Sequence, residues 1–83
     1  MLLMLSSMSE NITVPAGKEL NLMSILKGNM VVQKGARAKI MAEVNGTIIN
    51  YGTLDIMGVI NGDVINNGGV VNNMGQINGE IKQ

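Results

Sequence analysis

Few side chains in this chain could carry acid–base chemistry. Its six carboxylates are Glu10, Glu19, Glu43, Asp55, Asp63 and Glu80, and it contains neither histidine nor cysteine. Hydrolytic or proton-transfer chemistry needs an acid and a base converging on one bond. The spacing of these carboxylates suggests no such pair, and surface solvation is their expected role. Without cysteine or histidine there is no disulfide framework and no thiolate or imidazole metal site. The eleven glycines form neither G-x-x-x-x-G-K-S/T nor a strand-to-helix G-x-G-x-x-G, so no phosphate loop is expected. The reading is of a protein that is not an enzyme, holds no cofactor or metal, and acts by stacking or binding.

Charge narrows the partners. Six basic and six acidic residues cancel, with a pI near 6.1, leaving no field to hold a phosphate backbone. Nucleic acid is therefore not an expected partner. The opening Met1-Leu2-Leu3-Met4-Leu5 is apolar but far short of the roughly 20 residues that span a bilayer, and no basic residue precedes it. Residues 1–11 read as a flexible leader that caps the domain or, through Leu2, Leu3 and Leu5, touches a membrane. Met8-Ser9-Glu10 would also make an ordinary start. Asn11-Ile12-Thr13 and Asn45-Gly46-Thr47 match the glycosylation sequon but sit inside the repeat described next and read as chance matches.

The elements that position all of these residues are set by an internal repeat. Aligning the chain on Gly28, Gly46, Gly62 and Gly79, with spacings of 18, 16 and 17, brings the remaining residues into columns. One column reads Ile12, Met30, Ile48, Val64, Ile81, and another Val14, Val32, Asn50, Asn66, Gln83. After a recurrent glycine (Gly17, Gly35, Gly52, Gly69) come Leu20, Ala38, Leu54, Val71, then Leu22, Ile40, Ile56, Asn73. A methionine follows in every copy: Met23, Met41, Met57, Met74. The last columns are Leu26, Val44, Ile60, Ile77 and Lys27, Asn45, Asn61, Asn78.

Within each copy apolar residues alternate with others over three to five positions, as in Leu20-Asn21-Leu22 and Leu54-Asp55-Ile56, which is strand periodicity. Gly and Asn mark the turns, where they tolerate positive φ most cheaply. Asn-Gly also suits a two-residue hairpin, but hairpins do not explain column agreement at 16–18 residues. A parallel β-helix does, because each residue stacks on its counterpart one rung away. The expected fold is all-β: a single solenoid domain over 12–83, about four rungs of 16–18 residues, with Ile, Val and Leu inside and Asn ladders at the turns.

The outward column Asn21, Lys39, Asp55, Asn72 is polar, as a solvent-facing position should be. Another outward column, Thr13, Val31, Ile49, Ile65, Lys82, places aliphatics in its three middle rungs. It reads either as strand propensity on a tolerant surface or as a lateral contact stripe formed by Val31, Ile49 and Ile65. The methionines read as corner filling, since a thioether metal array would lack the Cys or His that usually accompanies it. A solenoid also exposes its terminal rungs unless they are capped. No cap is expected after Gln83, so Ile12 and Ile81 read as end-contact residues.

The stretches Val31-Val32-Gln33-Lys34-Gly35-Ala36-Arg37-Ala38-Lys39-Ile40, Val44-Asn45-Gly46-Thr47-Ile48 and Val59-Ile60-Asn61-Gly62-Asp63-Val64 resemble those of bactofilins, the polymer-forming cytoskeletal proteins of bacteria. The resemblance covers roughly residues 12–83. It implies a three-sided, right-handed β-helix that assembles end to end without nucleotide, a cytoplasmic location with membrane association, and Leu2, Leu3 and Leu5 in the place of a membrane-seeking segment. The chain departs from the family in being shorter, richer in Asn-Gly and without a C-terminal Phe. Left-handed hexapeptide-repeat acyltransferases have a similar turn length, but their strict six-residue side and catalytic histidine are absent here. An ice-binding Thr-x-Thr array is absent too. The competing reading is a discrete homo-oligomer that engages another protein through the Val31/Ile49/Ile65 face.

Overall fold

Segments of two to four alternating residues bury too little by themselves, and the chain solves this by stacking each one on its own counterpart. The structure, a computed structural model, describes residues 2–5 and 11–82. The expectations placed on Met8, Glu10 and Gln83 lie outside the described residues. Thirteen strands follow one another in the described chain: β1 (Leu2–Leu5), β2 (Ile12–Val14), β3 (Glu19–Leu22), β4 (Met30–Val32), β5 (Arg37–Ile40), β6 (Glu43–Val44), β7 (Ile48–Asn50), β8 (Thr53–Ile56), β9 (Val59–Ile60), β10 (Val64–Asn66), β11 (Val70–Asn73), β12 (Gln76–Ile77) and β13 (Ile81–Lys82).

They form three parallel sheets, the faces of a β-solenoid of about four turns. Face 1 runs β2-β4-β7-β10-β13, face 2 runs β1-β3-β5-β8-β11, and face 3 runs β6-β9-β12, extended by a bridge from Leu26 to Val44. Every pairing is parallel and in the register of the sequence columns. Ile12, Met30, Ile48, Val64 and Ile81 lie in one line, and Leu20, Ala38, Leu54 and Val71 in another. The interior is continuous, with Leu20, Leu22, Leu26, Met30, Ile40, Ile48, Leu54, Ile56, Ile60 and Val64 fully buried. Stacking like aliphatic side chains about 4.8 Å apart fills this interior without aromatic residues.

The unequal repeat lengths have one source. The face 2 to face 3 corner takes two residues in the second to fourth rungs (41–42, 57–58, 74–75), and the face 3 to face 1 corner takes three (45–47, 61–63, 78–80). The face 1 to face 2 corner varies, with four residues at 15–18 and 33–36, two at 51–52 and three at 67–69. Gly17, Gly35 and Gly68, at this corner, are the described residues with positive φ; no Asn has it. The expectation that the turn Asn residues sit in the left-handed region is thus corrected. Their amides serve instead as hydrogen-bond partners across rungs.

The register also reaches further toward the N-terminus than the twelfth residue. β1 pairs with β3, aligning Leu3 with Leu20 and Leu5 with Leu22. That offset of 17 residues is the rung period, so the backbone of Leu2–Leu5 lies where one more face 2 strand belongs.

Candidate interaction surfaces

Face 1 carries the aliphatic stripe. Thr13, Val31, Ile49, Ile65 and Lys82 are aligned by β-pairing, with Val31, Ile49 and Ile65 half-buried between exposed Thr13 and Lys82. The three aliphatics are therefore brought together as one short ridge on a flat sheet.

The ends differ. Ile12, in the first rung, is buried with 8% exposure, whereas Ile81 is 44% exposed. Beyond β11, β12 and β13 no further strand pairs among the described residues. Val71 and Ile77 are only partly buried there, and Asn66 and Asn73 occupy the positions that are Val and Ile in lower rungs. This end combines apolar side chains, amides and unpaired strand edges. At the other end, Leu2, Leu3 and Leu5 lie in β1 with their backbone in the face 2 ladder. No helix of the described residues is long and apolar enough to cross a membrane.

The outer surface of face 2 holds the one buried carboxylate among the described residues. Asp55 is 4% exposed, which corrects its expected role in surface solvation. Arg37 donates from Nε to Asp55 Oδ2 at 2.9 Å and approaches the same oxygen through its terminal nitrogen at 2.7 Å; Asn72 donates to Oδ1 at 2.8 Å. Lys39 lies beside Asp55 on the adjacent strand. Burial raises the carboxyl pKa, but the hydrogen bonds from Asn72 and Arg37 and the charges of Arg37 and Lys39 outweigh it, leaving the pKa below the ordinary carboxylate value. The hydrogen bond to Asp55, together with its charge, raises that of Arg37. A carboxylate so held is a poor proton acceptor at neutral pH. With Met57 and Met74 these residues line an open groove of about 580 Å³, and among the described residues no three or more His, Cys, Asp or Glu converge to hold a metal.

The depressed pKa of Asp55 gives a signed expectation. Its stabilisation is complete above the unfolded carboxylate value of about 4 and is lost as pH falls through the lower, folded value. Urea midpoints of the wild-type chain and Asp55→Asn should differ more at neutral pH than in acid below the folded value. A gap of equal size at both pH values would mean that the charge of Asp55 contributes nothing.

The amides make ladders at two corners. Asn61 donates to Asn45 Oδ1 at 2.8 Å and Asn78 donates to Asn61 Oδ1 at 2.6 Å, with Asn61 also reaching Glu43. Inside the face 1 to face 2 corner, Asn50 is fully buried and donates to Asn66 Oδ1 at 3.3 Å. Asn66 joins this ladder, while Asn72 bonds Asp55 and Asn73 accepts from Gly75 N–H.

The methionines overturn another expectation. Met23, Met41, Met57 and Met74 are 54%, 40%, 45% and 69% exposed, so they do not fill the corner but stand outside it. The signal was present in the strand alternation: each follows a column whose first three members, Leu22, Ile40 and Ile56, point inward, and the next residue on a strand must point out. Met30, two residues before inward Val32, is by the same parity buried.

The residue pattern and the three stacked sheets define a β-solenoid repeat protein. No protein-family model, curated protein or solved structure matches the chain.

Proposed function

We propose that this chain is a structural β-helix that associates with copies of itself through its rung ends, without nucleotide, in the manner of bactofilins. The observation that carries the reading is the end formed by β11, β12 and β13, where three parallel strand edges have no described partner and Val71, Ile77 and Ile81 remain accessible. Such edges are templates for a further strand. A second copy stacked there would continue the same 16–18-residue ladder, which supports a head-to-tail or end-to-end contact between identical units. The absence of a net field, six charges against six, leaves no long-range repulsion to oppose stacking.

Negative-stain electron microscopy of the chain at micromolar concentration, without nucleotide, is expected to show thin unbranched filaments. Ile81→Asp places a charge on an exposed residue of the terminal strand and should abolish them while far-UV circular dichroism stays unchanged. Uniform small particles from the wild-type chain would overturn the filament reading.

The aligned ridge of Val31, Ile49 and Ile65 favours a second reading, a discrete homo-oligomer or a partner-binding face. Under it Ile49→Lys, with the fold retained, changes the assembly seen by sedimentation velocity and Ile81→Asp does not.

A further inference from the structure

The softest donors of the chain are aligned at a place that neither stacking reading uses. Met23, Met41, Met57 and Met74 each follow the last residue of a face 2 strand. Hydrogen bonds from Met41 N to Leu22 O at 2.9 Å, Met57 N to Ile40 O at 2.8 Å and Met74 N to Ile56 O at 2.7 Å hold them in one row. Neighbouring members are thus one rung apart, about 4.8 Å. A line of four large apolar side chains exposed by 40–69% is costly in water. The face 3 to face 1 corner carries Asn45, Asn61 and Asn78 in the corresponding row.

A thioether is a soft, uncharged ligand with no proton to lose, and it selects ions of the Cu(I) type over Mg²⁺ or Ca²⁺. Zinc–thiolate bonds, at about 2.3 Å, set the scale of metal–sulfur bonds, so two opposed bonds of that scale span about 4.6 Å. The rung repeat of about 4.8 Å differs from this by a few tenths of an ångström, which the three rotatable bonds of methionine absorb. We propose that the ridge binds soft monovalent metal ions, each held between thioethers of neighbouring rungs, with Met41 and Met57 as the central pair. The bridging geometry follows from the solenoid itself, because a parallel coil places the same donor at the same corner once per rung. Binding releases no proton and is insensitive to pH.

The test is calorimetric titration of the full chain with Ag(I), a redox-inert probe, in nitrate buffer free of chloride and thiols. Met41→Leu/Met57→Leu keeps the apolar bulk at exposed positions and leaves Met23 and Met74 with no neighbouring methionine in the row. Loss of two-point binding should weaken affinity about 10²-fold, and wild-type affinity should be the same at about pH 4, where carboxylates begin to protonate, and at about pH 7.5. Absence of binding by the wild-type chain, equal binding by the double variant, or affinity that falls as carboxylates protonate would each overturn the proposal. Ion binding by a chain that forms no filaments would leave this inference standing and the assembly reading fallen, so the two fail separately.

Discussion

Alanine at Gly62 is expected to destabilise the fold by about 3 kcal/mol or more, through overpacking against backbone that has no room to move. A Cβ there would meet the carbonyl oxygen of Gly46, as one at Gly46 would meet that of Gly28 and one at Gly79 that of Gly62. These glycines, which set the repeat register in the sequence, do not have positive φ. They are selected because the face 3 to face 1 corner stacks Cα on carbonyl along the axis. Gly68 is the contrasting case, with φ +82 and no atom near an added Cβ, so Gly68→Ala should cost only about 1–2 kcal/mol of backbone strain. A domain of this size is stable by about 4–12 kcal/mol, and urea unfolding followed by far-UV circular dichroism separates the two effects. Equal losses at both positions would contradict the close-approach account.

The second large effect is expected at Asn50, where the sequence breaks its own apolar column. Val14 and Val32 precede a four-residue turn, but Asn50 precedes a turn of only two. There its Oδ1 accepts from Gly52 N–H at 3.1 Å and its Nδ2 donates to Val70 C=O at 2.9 Å. Gly52 N–H, inside the shortened turn, has no backbone acceptor, and the buried amide satisfies it while adding a bond to the Val70 carbonyl. Asn50→Val restores the column's apolar identity and adds to the core, yet should lower stability by about 1–3 kcal/mol because unpaired polar groups cost more than the methyl groups return. Tyr51, the single aromatic residue, adjoins the site, and its fluorescence during urea unfolding provides the measurement. A variant as stable as wild type would show that the amide is dispensable.

Both expectations depend on distinguishing what repetition reveals from what it conceals. The columns specify a parallel coil, because in-register stacking makes each position answer to its counterpart one rung away. Ile12, Met30, Ile48 and Val64 share a line in the sequence and in the sheet. Strand alternation also separated the inward Leu20 and Leu22 from the outward Asn21. Continued one residue further, it places Met23 outside. Corner filling rests on what methionine does in other interiors, and the exposed ridge corrects it.

Asp55 was not legible in the same way. Its column is polar throughout, and alternation assigns it outward correctly, but outward is not the same as exposed. Arg37, from one strand away and two positions earlier in register, folds over it, and Asn72 closes the other side. Long side chains reach diagonally across a sheet, and column identity carries no record of diagonal reach. The face 2 register of Leu2–Leu5 is hard to read from the sequence for another reason. Five apolar residues at a terminus read as a leader because Met4 stands where the later rungs have Asn21, Lys39, Asp55 and Asn72, so the polar marker of the register was absent.

By itself, the sequence determined the architecture: an all-β parallel coil, its rung length, its core columns and the positions of its turns. These follow from periodicity, since every rung must satisfy the same geometry as its neighbour. Only the tertiary structure decided which turn absorbs the irregular rung lengths, that the register glycines answer to carbonyl contact and not to φ, that one carboxylate is buried, and that the methionines form an exposed row. Those features arise where side chains and backbone meet between rungs, at distances the period repeats but does not specify.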